Sequence, residues 1–203
     1  MRVISVGVVG LGRIGKLHVN NILQMHDVEI VMVYDPFLDT EWTAERRLIS
    51  VADEKSVYTS SKIDAILIFS PSTLHAGQIV ESAKAGKHVF CEKPIALDPL
   101  QIEDVLSVVS ERGIKLQIGF NRRFDPDFLK IRTAIADGLI GDLHLLKITA
   151  RDPEPPPLDY VESSGGIFLD MTIHDFDMVR FLSGSEIREV YAKGAVLIDK
   201  SSG

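Results

Sequence analysis

A single cysteine, Cys91, stands in the 203-residue chain, so no internal disulfide can form and a reducing, cytoplasmic setting is expected. Long apolar runs are missing as well. None approaches the length of a membrane span, and the first, Val3 to Val9, is short and interrupted by Gly7, which argues against a signal peptide. Positive charge is scarce: 22 Lys and Arg face 29 Asp and Glu, and a net charge of −7 leaves no basic stripe for a nucleic-acid partner. The densest basic cluster, Arg122, Arg123, Lys130 and Arg132, is spaced for a small anionic or polyhydroxyl ligand and a solvated helix face. No internal repeat is present, no metal site is expected, and the one biased tract, Pro153 to Pro157, reads as a stiff loop.

What the chain does have is 45% hydrophobic residues, enough for one full domain and part of another. The β-branched run Val3 to Val9 reads as a strand buried on both faces, and it enters Gly10-Leu11-Gly12-Arg13-Ile14-Gly15 directly. Helical apolar spacing follows at Leu17, Ile22 and Leu23. In that context Gly10 permits a tight turn, Gly12 lets a pyrophosphate approach the backbone, and Gly15 lets helix and strand pack closely, with helix N–H groups facing the phosphates. A second strand, Val28 to Tyr34, ends at Asp35, about 20 residues past Gly15, where an acid accepts hydrogen bonds from the adenosine ribose. Asp35 repels a 2′-phosphate, and no arginine follows it before Arg46, so the expected cofactor is NAD rather than NADP.

Strand and helix patterns then alternate. After a poorly patterned stretch from Pro36 to Lys62 come a strand at Ile63 to Phe69, a helix closed by Gly86 and a strand at His88 to Cys91. A helix opened by Asp98, Pro99 and Gln101 and ended by Gly113 precedes the strand Ile114 to Ile118. This is the pattern of a doubly wound parallel sheet, in which ligands bind beyond the carboxyl ends of the strands. Gly10, Asp35, Ser70, Lys93 and Asn121 all fall just past such ends. From Arg122 the pattern changes to a helix at Asp127 to Asp137, a strand at Leu143 to Ala150, the proline loop, a helix around Asp170 and His174, and a strand at Ile187 to Ile198. The expected fold class is therefore α/β: an N-terminal doubly wound parallel sheet over 1–121, followed by an incomplete α+β domain over 122–203.

Asp170 and His174 lie four residues apart, which on one helix places a carboxylate and an imidazole on the same face. Histidine takes up a proton near neutral pH, and a neighbouring carboxylate orients and stabilises it. The same spacing also suits a solvated pair or half of a metal site. Arg123 pairs with Asp125 or Asp127 as readily as it meets a substrate, Asp152 suits a cap on the proline loop, and His88 and Cys91 read as core residues.

Taken together, the glycine motif, Ala85-Gly86-Lys87-His88-Val89-Phe90-Cys91-Glu92-Lys93-Pro94, Gly119-Phe120-Asn121-Arg122-Arg123-Phe124-Asp125 and the Asp170/His174 segment resemble the glucose-fructose oxidoreductase/inositol dehydrogenase family. The loop Ala150 to Pro157 is most similar to the inositol 2-dehydrogenase branch. The resemblance implies a Rossmann domain that binds NAD through Gly10, Gly12, Arg13, Ile14, Gly15, Asp35, Ser70, Pro71, Ser72, His75, Glu92, Lys93 and Asn121. It implies Lys93, Asp170 and His174 as catalytic residues, joined by Arg122 and Asp152 in binding a polyol or sugar. The implied reaction is NAD-dependent oxidation of a cyclic polyol, myo-inositol to 2-inosose. An aldose dehydrogenase of the same family and a non-catalytic dinucleotide-binding fragment are the alternatives. Family members continue well past Gly203 and form homo-oligomers, so a chain cut short is expected, with the adenine side of its cofactor site altered by the short stretch after Asp35.

Overall fold

The computed structural model describes residues 2–154, 156, 161 and 164–196, and it divides into two compact units, Met1–Gly119 and Phe120–Gly203. In the first, β1 (Ile4–Val9), β2 (Val28–Tyr34), β3 (Ala65–Ile68), β4 (His88–Cys91) and β5 (Leu116–Ile118) form one parallel sheet in the order β2-β1-β3-β4-β5. The order reverses between β1 and β3. That reversal makes the two connections leaving β1 and β3 run to opposite sides and opens a crevice at their carboxyl ends.

Successive side chains along a strand point to opposite faces, and both faces here are covered. Val9, Ile66, Ile68, Val89 and Cys91 build one core with Ile79 and Val105, while Val8 and Val33 build the other with Leu11, Val19 and Phe69. Burial pushes the Cys91 thiol pKa up, which keeps it a small hydrophobe.

The helices of this unit are α1 (Arg13–Ile22), α2 (Thr40–Glu45), α3 (Lys55–Thr59), α4 (Ser72–Lys84) and α5 (Pro99–Arg112). Asp98 caps α5 by accepting from Leu100 N, Pro99 opens it and Gly113 closes it in the left-handed region, as their chemistry predicts. Three expectations need correction. The buried face of α1 is Gly15, Val19 and Ile22, at helical spacing, whereas Leu17 and Leu23 are about half exposed. The stretch after Asp35 contains α2 and α3, each a short helix whose N-terminal backbone is held by an aspartate, Asp39 for Trp42 N and Asp53 for Ser56 N. His88 is exposed at the head of β4, its Nδ1 accepting from Lys115 N at 3.0 Å.

The second unit begins with a 3₁₀ turn (Asn121–Phe124) and α6 (Pro126–Ala136), capped by Asp125, and it continues with α7 (Gly166–Asp170) and α8 (Ile173–Ser183). α6 and the 3₁₀ turn pack against α8. Arg123 binds the buried Asp177 carboxylate through Nε at 2.8 Å and Nη2 at 2.6 Å, and Arg122 donates to Asp175. Those ion pairs tie the 3₁₀ turn to α8 within the second unit. They also settle Arg123, whose partner is neither Asp125 nor Asp127.

Among the described residues neither expected strand of this unit forms. Residues 143–150 and 187–196 carry no strand pairing, and 197–198 lie outside the described residues, as do Pro155 and Pro157 of the proline loop. A strand is stable only against a partner, and β-propensity without a ladder leaves extended chain uncommitted. Among the described residues no helix is long and apolar enough to cross a membrane.

Candidate functional site: a dinucleotide cleft and an acid/base segment

The cleft begins where β1 ends. Gly10 turns the chain at φ 94°, and α1 starts at Arg13 with Gly12 as its N-cap, no side chain capping it and no acid in its first turn. The first N–H groups of a helix lack intrahelical acceptors and sit at the positive end of its dipole, which is the setting an anion needs. A Cβ built on Gly12 meets nothing within 4 Å, so the space before those amides is open to a ligand. At Gly15 the reverse holds: a Cβ there lies 2.1 Å from the Gly10 carbonyl oxygen, because helix and turn touch at that point.

The cleft has a volume of about 550 Å³ and is lined by Gly10, Leu11, Gly12, Arg13 and Ile14 on one side and by Tyr34 to Phe37, Glu54, Ser70, Pro71, Leu74 and Gln78 on the others. Asp35 is fixed at its rim. Leu11 N donates to Oδ2 at 2.6 Å and Phe37 N to Oδ1 at 2.7 Å, and a carboxylate so held retains lone pairs for ribose hydroxyls. Two cations near this rim are engaged elsewhere. Lys16 pairs with Asp39 at 2.6 Å, and Arg46 donates to Asn20 Oδ1 at 2.8 Å while lying over the Trp42 ring. NAD is accordingly expected to bind at least about tenfold more tightly than NADP, and Asp35→Ser to narrow that ratio; titration of both cofactors into the two proteins checks this, and equal affinities in the unmodified chain would sink it.

Ser70 and Pro71 line the cleft and Ser72 opens α4, whereas His75 is not among the residues lining the cleft. It is 1% exposed, with Nδ1 2.7 Å from the Pro94 carbonyl and Nε2 2.9 Å from the Ser70 carbonyl. Carbonyl oxygens only accept and an imidazole with one N–H donates to one of them at a time, so His75 sits between the turn after β3 and the turn that follows Lys93, placed to position these turns rather than to line the cleft. Glu92, past the end of β4, is held by His18 on α1 at 2.8 Å, and the His18 ring stacks on Phe69 at 4.4 Å. Sequence reasoning missed His18, whose partner is 74 residues away. Lys93 follows Glu92 in this first unit, joined to Pro94 by a cis peptide bond.

In the second unit Asp170 is the last residue of α7 and His174 the second of α8, so they do not share one continuous helix. The break is a turn in which Met171 N and Thr172 N both donate to the Ile167 carbonyl, at 3.2 and 2.9 Å. Both residues remain in the same unit on consecutive helices, and the linking residues Met171 and Thr172 keep right-handed helical backbone angles. The His174 ring meets Phe120 edge-on, with centroids 6.4 Å apart. Arg122 has its guanidinium on Asp175, Asn121 opens the 3₁₀ turn, and Asp152 is exposed in a segment without helix or strand.

Residues 4–120 match the oxidoreductase family with an NAD-binding Rossmann fold, and residues 128–202 match the GFO/IDH/MocA C-terminal domain. The chain belongs to this family. An inositol 2-dehydrogenase of Rhizobium meliloti (strain 1021) is 48% identical over 97% of the chain and 60% of that protein. A solved myo-inositol dehydrogenase from Corynebacterium glutamicum superposes with a TM-score of 0.92 at 39% identity, over 98% of the chain and 60% of the other. A scyllo-inositol dehydrogenase from Lactobacillus casei, solved with NAD(H) and scyllo-inositol, gives 0.76 at 34% identity, over 90% and 57%. The chain thus spans about 60% of the length of the relatives it matches. The cleft fits the dinucleotide of the family, since Gly12 leaves room before uncapped amides and Asp35 stands ready for the ribose.

Proposed function

We propose that the protein oxidises a ring hydroxyl of a cyclic polyol, myo-inositol, to the ketone 2-inosose, with NAD as the oxidant. The observation that carries the reading is the open approach to the α1 amides at Gly12 beside an amide-anchored Asp35, a site for an unphosphorylated adenosine ribose. The similarity to inositol dehydrogenases supports the choice of substrate. NAD, when bound, supplies the hydride acceptor.

The protein's own residues handle the proton and the charge. Oxidation removes a hydride from carbon and a proton from oxygen, and His174 is the base for that proton, with Asp170 accepting a hydrogen bond from the imidazole or from a neighbouring substrate hydroxyl. Lys93 donates to the developing alkoxide, and its positive charge lowers the cost of negative charge on oxygen. Arg122 keeps N–H groups beyond the one on Asp175, and these with Asp152 orient further hydroxyls of a ring substrate. An NADH absorbance assay over myo-inositol, scyllo-inositol and several aldoses tests the assignment. Turnover is expected with myo-inositol above the others; reduction only with aldoses would transfer the function to sugars, and NAD binding without turnover on any of them would leave a binding module.

A further inference from the structure

One part of the cleft is not explained by phosphate or ribose. Beyond Asp35 it is lined by the apolar surfaces of Pro36, Pro71 and Leu74, and then by two polar residues, Glu54 and Gln78. Gln78 is only 7% exposed and its amide is committed at both ends: Ser70 Oγ donates to Oε1, and Nε2 donates to Glu54 Oε1. Tyr58 OH donates to the same Glu54 oxygen at 2.6 Å. Glu54 is the N-cap residue of α3, yet its side chain makes no capping hydrogen bond; Asp53 holds the Ser56 amide instead. The carboxylate is therefore built into the cleft wall rather than into the helix.

A dinucleotide with its pyrophosphate on the α1 amides and its ribose hydroxyls on Asp35 has its base beyond Asp35, between the apolar walls and against this pair. A carboxylate is acceptor-only, and two donors already converge on Oε1, so Oε2 is the oxygen with acceptor capacity to offer a ligand. The base edge that complements it carries a donor. We infer that Glu54, held by Gln78 and Tyr58, reads the base of the bound cofactor by accepting a hydrogen bond from the exocyclic amine of adenine. This rests on the NAD reading above and adds to it a determinant of base identity. A base with a carbonyl oxygen at that position, as in hypoxanthine, sets two acceptors against each other.

The test is calorimetric titration of the chain and of Glu54→Gln with NAD and with nicotinamide hypoxanthine dinucleotide. The unmodified chain is expected to prefer NAD by about tenfold or more, the scale of one hydrogen bond to a charged acceptor. In Glu54→Gln, which keeps shape and can keep Oε1 for Gln78 and Tyr58, an amide N–H replaces the acceptor. That preference should shrink to near parity or invert. Asp35→Asn, altered at the ribose, should weaken both dinucleotides by the same factor and leave the preference intact. Tight binding of both dinucleotides without preference, or an unchanged preference in Glu54→Gln, overturns the inference alone; failure of the unmodified chain to bind NAD overturns the NAD reading with it.

Discussion

Gly15→Ala is expected to weaken NAD binding severely and to lower the thermal midpoint of the protein, because the new methyl group lands 2.1 Å from the Gly10 carbonyl oxygen and 3.0 Å from its carbon. Both obstacles are backbone, so no side-chain rotation relieves them. α1 must retreat from the turn, and that movement withdraws the amides that face the phosphates. Overpacking of this kind costs about 1–3 kcal/mol and more where the backbone resists, so a loss of affinity of about two powers of ten or more is expected. Gly12→Ala separates the two effects. Its Cβ meets nothing within 4 Å, so the melting temperature should hold while NAD affinity falls, since the methyl occupies space meant for the ligand. A thermal melt and an NAD titration on each variant decide the matter. Undiminished NAD affinity in Gly12→Ala would show that the dinucleotide does not pass over this loop.

Lys93→Ala and His174→Ala are expected to reduce turnover by about two to four powers of ten, the usual scale for losing an alkoxide donor or a general base. NAD affinity should change little, as neither residue lines the cleft that holds the phosphates and the adenosine. Separate measurement of kcat and of the NAD dissociation constant distinguishes this from Asp35→Ser, which acts on binding. Near-normal turnover of His174→Ala at neutral pH would require a different base. His75→Phe offers a graded companion: without the imidazole's contacts to the Ser70 and Pro94 carbonyls, the turn bearing Lys93 loses a tether, and kcat should fall while the amide-anchored Asp35 keeps its place.

The features legible in the chain were those whose cause is local. A strand rich in β-branched residues, a glycine turn and a helix start are set by residues within a few positions of one another, and so are Asp98, Pro99 and Gly113 around α5. Asp35 belongs with them, because a strand leads straight to it. Tertiary structure decided the rest. His18 finds Glu92, and Gln78 finds Glu54, only because the sheet brings distant turns together; His75 reads as a ligand contact until two carbonyl oxygens 24 residues apart in sequence, those of Ser70 and Pro94, are seen to enclose it. Helical periodicity put Asp170 and His174 on one helix, but a turn at Met171 and Thr172 divides them, and no period-based rule detects a two-residue break. The β-rich patterns at 143–150 and from 187 onward state a propensity alone. Whether such a segment becomes a strand depends on a partner across a ladder of hydrogen bonds, which is a property of the folded neighbourhood and not of the segment.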